Sequence, residues 1–492
     1  MAVAHIARHT AVTPRGIPSW TIPGGISVGL LFLLASRLEQ KWFLTLFLGS
    51  LVLTASLAFD KKAYYLALLV GSLPLGVDVN LYFHPSSVSH STYGFLVRLS
   101  SVPLALLYLR WLAVCLTRKL PLRIATTGLF PLTGFFLSAC VSLFFAKSFL
   151  FGAFDLFALA LSIFLFVYAA SEVRETKEVR LVLAVLIASV ALQGVIALGQ
   201  HVTESTLGLD FFGAFRNLQS AAGLETLSRV GGTFGHPNSL ALYFDLLLPL
   251  SCSFLFYPMS GRRKCILAAV VGLGFAGLTL TLSRGGTIAV GLAVLTICII
   301  RWRGRIGLLR GGLAAAVAGL SLAALIVGTA NPLQKRLFEQ DYGTASGRAP
   351  HVHVAWNIIR ARPFFGVGLN NYTETAQQYD DTPERIISWW NSPVHNLFLF
   401  VAGETGLVGL SFFLAFLLTA VLSLRPALSC PDPLLASAGL GLLLGFMAYF
   451  VHVQIDYANW PHFSILWFLL GLAVSVGRLA ATTQTGGRNL DG

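Results

Sequence analysis

Three short polar motifs interrupt a chain of long apolar runs, and each carries residues suited to substrate binding or catalysis. The first is GGTFGHPN at residues 231–238, which includes His236 and Asn238 and follows Arg229 closely. Pro237 suits the first turn of a helix, and free N–H groups at a helix start bind anions. The alternative is a glycine turn that only caps a helix.

The second motif is Ser283-Arg284-Gly285-Gly286, a tight turn between two apolar runs. An arginine this close to hydrocarbon is costly unless it is paired or functional. Its planar guanidinium group matches the geometry of phosphate oxygens. Arg284 is therefore a candidate phosphate ligand, and interfacial snorkelling is the alternative.

The third motif is SPVHN at residues 392–396, where a polar stretch meets an apolar run. Histidine titrates near neutral pH, so His395 could accept a proton from a substrate hydroxyl. A structural histidine at the membrane interface is the alternative. Asn396 either orients a hydroxyl or caps the next helix. Glu404 lies within the following apolar run, where a carboxyl group requires a partner.

The sequence does not indicate metal or nucleotide chemistry. His351 and His353 are two positions apart and do not share a helical face, and no HExxH motif or Cys/His cluster occurs. The glycines at 366–368 lack the strand of a nucleotide-binding loop. We therefore expect no metal and no cofactor.

The apolar runs that must position these motifs predict an all-α polytopic membrane protein, built as one helical bundle. Of 492 residues, 55% are hydrophobic and 11% are charged, whereas a soluble domain is about 25% charged. A span of about 20 residues gives about fourteen candidate helices. They lie near residues 20–36, 42–59, 63–77, 101–117, 124–145, 149–170, 179–200, 237–257, 265–282, 284–300, 306–328, 395–423, 435–455 and 462–480.

The net charge of +13 resides mainly in short loops, which predicts membrane orientation and not nucleic-acid binding. Most basic loops fall on one side, although Arg37 and Lys41 fall on the other, so both termini are predicted to be cytoplasmic. The resulting division is 1–200 N-terminal transmembrane helices, 201–236 periplasmic loop, 237–328 central transmembrane helices, 329–394 large periplasmic loop, 395–480 C-terminal transmembrane helices and 481–492 cytoplasmic tail.

The large loop is rich in basic residues, including Arg348, and suggests an anionic ligand. Apolar residues at helical spacing predict an amphipathic helix within it. Its stripe comprises Val352, Ala355, Trp356 and Ile359, with Arg348, His351 and Arg360 off the stripe.

Ionisable residues also occur inside the apolar runs. Arg110 is predicted to pair with Asp155 or Asp245, in either a structural or a transport role. Asp456 lies near the last external turn.

Taken together, the motifs resemble those of the O-antigen ligase family. The matching stretches are residues 229–238, Ser283-Arg284-Gly285, residues 356–368 with PFFGVG, His395-Asn396 and Glu404-Thr405-Gly406. The resemblance implies a bundle of the type-C glycosyltransferase class, about 12–14 transmembrane helices here, with a large periplasmic loop. It also implies transfer of a glycan from undecaprenyl diphosphate to an acceptor such as lipid A-core, at the periplasmic face of the bacterial inner membrane.

The resemblance further implies roles for individual residues. Arg284, and less directly Arg229, would hold the diphosphate, His395 would be the essential histidine, and Asp456 would be the late acidic residue. One direct, metal-independent displacement would invert the anomeric centre. A repeat-unit polymerase of the same family and a small-anion or solute transporter remain the alternatives.

Overall fold

The structure is a computed structural model that describes residues 62–85, 92–212, 216–219, 227–302, 348–457 and 460–488. The predicted spans near 20–36, 42–59 and 306–328 lie outside the described residues, as do residues 329–347 of the predicted large loop. The site motifs fall within the described part.

Long helices dominate the described residues, as the sequence predicted. In chain order the helices are α1 Lys62–Ser72, α2 Ser101–Thr117, α3 Leu129–Ser142, α4 Phe149–Glu172, α5 Thr176–Thr203, α6 Pro237–Ser253, α7 Gly261–Leu280, α8 Arg284–Trp302, α9 Arg348–Ala361, α10 Tyr372–Ala376, α11 Ile386–Trp389, α12 Leu397–Leu422, α13 Arg425–Leu428, α14 Pro433–His452 and α15 Ser464–Arg488. Short 3₁₀ turns occupy Leu143–Phe145, Asp210–Phe212, Phe254–Phe256 and Gln377–Tyr379.

Two small antiparallel hairpins, which the sequence analysis did not predict, join helices at one end of the bundle. They pair β1 Asp78–Leu81 with β2 Phe95–Arg98, and β3 Arg216–Gln219 with β4 Leu227–Val230.

Seven helices of the described part are long and apolar enough to cross a membrane, and three shorter helices are also apolar. The protein is therefore an all-α polytopic membrane protein. Each predicted span within the described residues coincides with a helix, although some ends differ. The predicted span at 63–77, for example, is helical only to Ser72, because Pro74 disfavours helical backbone before it.

Local sequence explains where several spans begin. The Ser148 side chain accepts a hydrogen bond from the Phe151 amide at the start of α4, and the Asp432 side chain caps α14 ahead of Pro433. Such caps satisfy amides that an apolar solvent cannot.

The predicted pairing of Arg110 with an intramembrane aspartate is replaced by two aspartate–histidine pairs. Asp155 Oδ1 lies 3.0 Å from His462 Nε2, and Asp245 Oδ2 lies 2.5 Å from His452 Nδ1. All four side chains are buried. Arg110 instead lines a pocket at the opposite end of the bundle from these two pairs. A histidine within the bundle thus partners one carboxylate oxygen of each buried acid.

The PFFGVG and GETG motifs bind each other through their backbones. Helix α12 is broken at Gly406, where φ is 71°. The amides of Val367 and Gly368 donate to the carbonyls of Gly403 and Glu404, at 2.9 and 3.0 Å. These two motifs therefore form a structural joint.

The helix predicted in the large loop is present as α9, but its buried face was predicted wrongly. His351, Val354, Ala355, Ile358 and Ile359 are buried, whereas Trp356 is 47% exposed. The buried stripe of α9 faces α12 and neighbouring loop residues. This surface accommodates the His351 imidazole as well as aliphatic side chains, so the stripe is displaced around the helix.

Candidate active site

The candidate site lies at the end of the bundle where α5 ends and α6 begins. Two buried glutamines of α5 hold the glycine turn that precedes α6. Gln200 Nε2 donates to the Gly232 carbonyl at 3.1 Å, and the Gly232 amide donates to Gln200 Oε1 at 3.0 Å. Gln193 Oε1 accepts from the Thr233 amide at 3.2 Å. The turn is therefore fixed in place before any ligand binds.

A hydrogen-bonded chain runs from Arg229 through Asn238 to Asp456. Arg229 is buried on β4, its Nε donates to the Thr281 carbonyl at 2.9 Å, and its Nη2 donates to Asn238 Oδ1 at 2.7 Å. Asn238 Nδ2 then donates to Asp456 Oδ2 at 2.7 Å. Asp456 thus meets two residues more than two hundred positions earlier in the chain, and the three connect the ends of α6, α7 and α14.

His236 is the N-cap of α6, as the glycine-turn alternative for this motif anticipated. Its Nδ1 accepts a hydrogen bond from the Asn238 amide at 3.1 Å, and Pro237 occupies the first turn. Burial lowers the pKa of His236 and Arg229 adds to the fall, while Asp456 opposes it. The ring is therefore neutral at physiological pH.

Arg284 is the first residue of α8 and lies at the same end of the bundle. The next residue, Gly285, packs against His452, the last residue of α14. Ser283 Oγ lies 3.2 Å from His452 Nε2 and accepts a hydrogen bond from the Gly286 amide at 3.3 Å. The buried chain Ser283–His452–Asp245 thus holds the helix start that presents Arg284.

His395 lies immediately before α12 in a cage of rings. Its ring centroid is 5.3 Å from Trp390, 5.5 Å from Tyr457 and 6.4 Å from His351. Its Nδ1 is buried and has no hydrogen-bond partner among the described residues. A buried nitrogen without a partner is costly, and such groups occur where a ligand supplies the partner.

The electrostatic surroundings of His395 favour its neutral form. Burial is the largest cause and lowers the pKa of His395 to about 4. The charge of Asp456 opposes this fall, and Arg348 contributes to it, as do His351 and His236. A neutral imidazole has an open lone pair, which is the form a general base requires.

Asn396 caps α12 and does not present a free amide. Its Oδ1 accepts from the amides of Phe398 and Leu399, both at 3.0 Å, and its Nδ2 donates to the Gln454 carbonyl at 3.1 Å. The Leu397 amide also donates to the Val453 carbonyl at 3.0 Å. The cap interpretation of Asn396 is therefore confirmed, and its contact with Gln454 attaches α12 to the end of α14, beside His395.

Arg348 begins α9 and lies within electrostatic reach of both His395 and His452. His351, one turn later, is fully buried, and its Nε2 lies 2.9 Å from the Trp390 carbonyl. His353 instead bonds to Asp381 on the outer face of the loop, at 2.9 Å. The two histidines thus diverge, as their spacing predicted.

The ends of α6, α8, α9, α12 and α14 therefore carry arginines, histidines and one aspartate from separate segments of the chain. Residues 267–414 match the O-antigen ligase family. This match confirms the resemblance found in the sequence, and it supports a membrane glycan transferase or ligase. Arg284, Arg348 and His395 lie inside the region matched to the O-antigen ligase family, whereas Arg229 and Asp456 lie outside it. Among curated proteins, none matches the chain.

The position of His452 at this site was not predicted from the sequence. Asp245 lies in one apolar run and His452 at the end of another. A buried acid and a buried histidine commonly pair, so their positions could have indicated this contact. His452 also precedes Asp456 by four positions, and both residues lie at the site.

Proposed function

We propose that this protein transfers a glycan from undecaprenyl diphosphate to an acceptor hydroxyl. One observation carries the proposal: His395 lies at the same end of the bundle as Arg229 and Arg284. The buried Nδ1 of His395 has no partner among the described residues and is open to a ligand. A lipid-linked sugar diphosphate carries an anion, which the arginines can bind, and an electrophilic carbon, at which His395 can assist attack.

The two arginines would stabilise the charge that develops on the departing diphosphate. Arg284 stands at the start of α8, where the helix dipole adds to its own positive charge. Arg229 is held rigidly by Thr281 and Asn238, so it needs little reorganisation when charge appears. Arg348 supplies a further cation beside His395. These cations take the place of the metal that many sugar transferases use.

His395 would remove the proton from the acceptor hydroxyl as that oxygen attacks the anomeric carbon. The bond from carbon to the diphosphate oxygen breaks in the same step, so a single displacement inverts the configuration. Asp456 lies close enough to favour the imidazolium that forms, because its charge raises the pKa of His395. The energy of the donor linkage drives transfer, so no nucleotide or other cofactor is required.

We further propose that the site faces the periplasm of a bacterial inner membrane and that both termini are cytoplasmic. The distribution of Lys and Arg supports this orientation. The division into transmembrane helices and the periplasmic loops 201–236 and 329–394 follows from the same orientation. Labelling of single cysteines introduced in those loops, before and after membrane permeabilisation, tests it directly.

The acceptor separates two functions with the same chemistry. A ligase would use lipid A-core or another lipid or glycan acceptor, whereas a polymerase would extend a lipid-linked chain of repeat units. The glycan band pattern after gene deletion distinguishes them. Long lipid-linked chains without capped acceptor indicate a ligase, and single units without long chains indicate a polymerase.

The decisive assay is glycan transfer by purified protein from a lipid-linked donor. His395→Ala should lower the rate by roughly 10²–10⁴-fold, the range of general-base catalysis. Arg284→Gln should lower it by roughly 10²–10³-fold, because one preorganised charge stabiliser is lost. Addition of a chelator should leave the rate unchanged.

The matched controls are His353→Ala and Arg360→Gln, both on exposed positions of α9. These variants should keep the wild-type rate. Properly folded His395→Ala and Arg284→Gln proteins with wild-type rates would remove both residues from the mechanism. Counterflow of a solute in proteoliposomes without any glycan product would favour the transporter instead.

A further inference from the structure

A small pocket lies beside the glycine turn that precedes α6, at the same end of the bundle as the candidate active site. Its walls come from the segment between α1 and β1, the hairpin β1–β2, the glycine turn, the first turn of α6 and the residues that lead into α15. Ser239 lines the pocket and directly follows Asn238, the middle residue of the hydrogen-bonded chain to Asp456. Successive residues of a helix point about 100° apart. The start of α6 therefore presents Asn238 to that chain and Ser239 to the pocket.

Hydrogen bonds between distant segments fix the walls of this pocket. Thr233 Oγ1 accepts from Gln193 Nε2 at 2.7 Å and donates to the Pro74 carbonyl at 2.5 Å. On the other side, Arg98 Nη1 donates to the His462 carbonyl and so ties β2 to the segment before α15. The pocket is therefore formed before a ligand arrives, and binding there costs little ordering of side chains.

The size and charge of the pocket suit a small neutral group. Its volume is about 110 Å³, whereas one enclosed water needs about 10–15 Å³, so a single ring-sized group fits. Asp78 and Arg98 stand opposite each other on β1 and β2, and their charges balance. His462, the other ionisable residue of the lining, is paired with Asp155 at 3.0 Å. Balanced charge favours a neutral ligand over the phosphate that the neighbouring arginines would bind.

The lining combines hydrogen-bonding groups with apolar surfaces. The Asp78 carboxylate is an acceptor, and the hydroxyl groups of Ser239 and Ser464 both donate and accept. Phe234 and Phe463 add apolar surface to the same lining. A sugar ring has the matching features, because its neighbouring hydroxyl groups donate and accept hydrogen bonds while its C–H groups form apolar faces. Small-molecule sites are typically built in this way, from apolar walls with a few polar groups that fix orientation.

We propose that this pocket binds one sugar residue of the glycan substrate through its hydroxyl groups. The inference rests on the proposed function, and it adds a sugar contact that is separate from the cations and from His395. The Asp78 carboxylate would accept a hydrogen bond from one sugar hydroxyl, and Ser239 would bond to another. The sugar residue comes from the donor or from the acceptor, which share this chemistry, and the two sources give different results in the test.

The test compares two probes on the purified full-length protein by titration calorimetry: undecaprenyl-diphosphate-linked glycan, and undecaprenyl diphosphate without a sugar. If the pocket binds the donor sugar, Asp78→Asn should raise the Kd of the linked glycan roughly tenfold, because a hydrogen bond to a charged group is lost. Ser239→Ala should raise it roughly threefold. The Kd of undecaprenyl diphosphate should not change. If the pocket binds the acceptor sugar, the same factors should appear in the acceptor KM for glycan transfer, with the Kd of the linked glycan unchanged.

Asp210→Asn and Ser205→Ala are the matched controls, because both residues are exposed at the same end of the bundle and neither lines the pocket. They should leave every constant unchanged. Ser239 is only partly buried, so its variant tests the pocket even if Asp78→Asn fails to fold. Folded variants with wild-type donor Kd and acceptor KM would overturn the proposal, and so would an equal weakening of undecaprenyl diphosphate. A wild-type protein that binds neither probe and transfers no glycan would instead refute the proposed function.

Discussion

Substituting Gly285 with alanine is a sharp test of how the structure positions Arg284. A Cβ at Gly285 would lie 2.6 Å from His452 Cδ2 and 2.7 Å from Ile455 Cδ1. The His452 ring cannot rotate away without cost, because Asp245 and Ser283 hold its two nitrogens. The start of α8 must therefore move instead.

The size of this movement follows from the contacts. The closest contact is about 0.8 Å short of ordinary van der Waals separation, so Arg284 should shift by a similar distance. Overpacking of this kind costs about 1–3 kcal/mol of stability. A displacement near 1 Å in a positioning element costs about 10²-fold in rate. We therefore expect glycan transfer by Gly285→Ala to fall about 10- to 100-fold, with the protein still folded.

The assay compares turnover of lipid-linked donor with the thermal unfolding midpoint, for Gly285→Ala and for Gly291→Ala. Gly291 lies in the same helix, and a Cβ there meets no atom within 4 Å. Its variant should keep the wild-type rate and a midpoint at least as high. A folded Gly285→Ala protein with wild-type turnover would refute the view that the contact between α8 and α14 positions Arg284.

Three further predictions concern the base and the joint. In the wild-type protein, the acid limb of the pH profile of kcat/KM should lie well below pH 6.5. Activity needs the neutral imidazole, and the pKa of His395 is lowered to about 4. The profile is measured from about pH 4 to about pH 8. Arg348→Gln should move that limb to higher pH, since removing a nearby cation raises the pKa of His395; an unmoved limb would contradict the assignment. Gly406→Ala should yield no folded protein by size exclusion, because its Cβ would lie 2.1 Å from the Phe364 carbonyl oxygen at a φ of 71°, whereas Gly272→Ala in open space should fold normally.

The sequence predicted the helices well because a bilayer imposes a simple length and composition on each span. It also made Arg229, Arg284 and His395 candidate site residues, since ionisable residues at the ends of apolar runs are rare and costly. The resemblance implied roles for these residues, but no local pattern indicates which helix ends meet.

Contacts between distant segments were what the sequence could not supply. Asn396 was open to two interpretations, and only the position of Gln454 shows that both ends of its amide are engaged. Charge alone paired Arg110 with Asp155 or Asp245, but the structure pairs these acids with His462 and His452. His351 was placed outside the buried face because imidazole was counted as polar.

The break in α12 has a consequence for how the protein is made. The carbonyls of Gly403 and Glu404 are released from the helix and are satisfied by residues 363–368, which leave the ribosome earlier. A span with exposed carbonyls is poorly tolerated by lipid. Membrane insertion of α12 should therefore be completed only after residues 363–368 have reached their position beside it. Insertion of the chain from Leu397 onward thus depends on the prior placement of the segment before it.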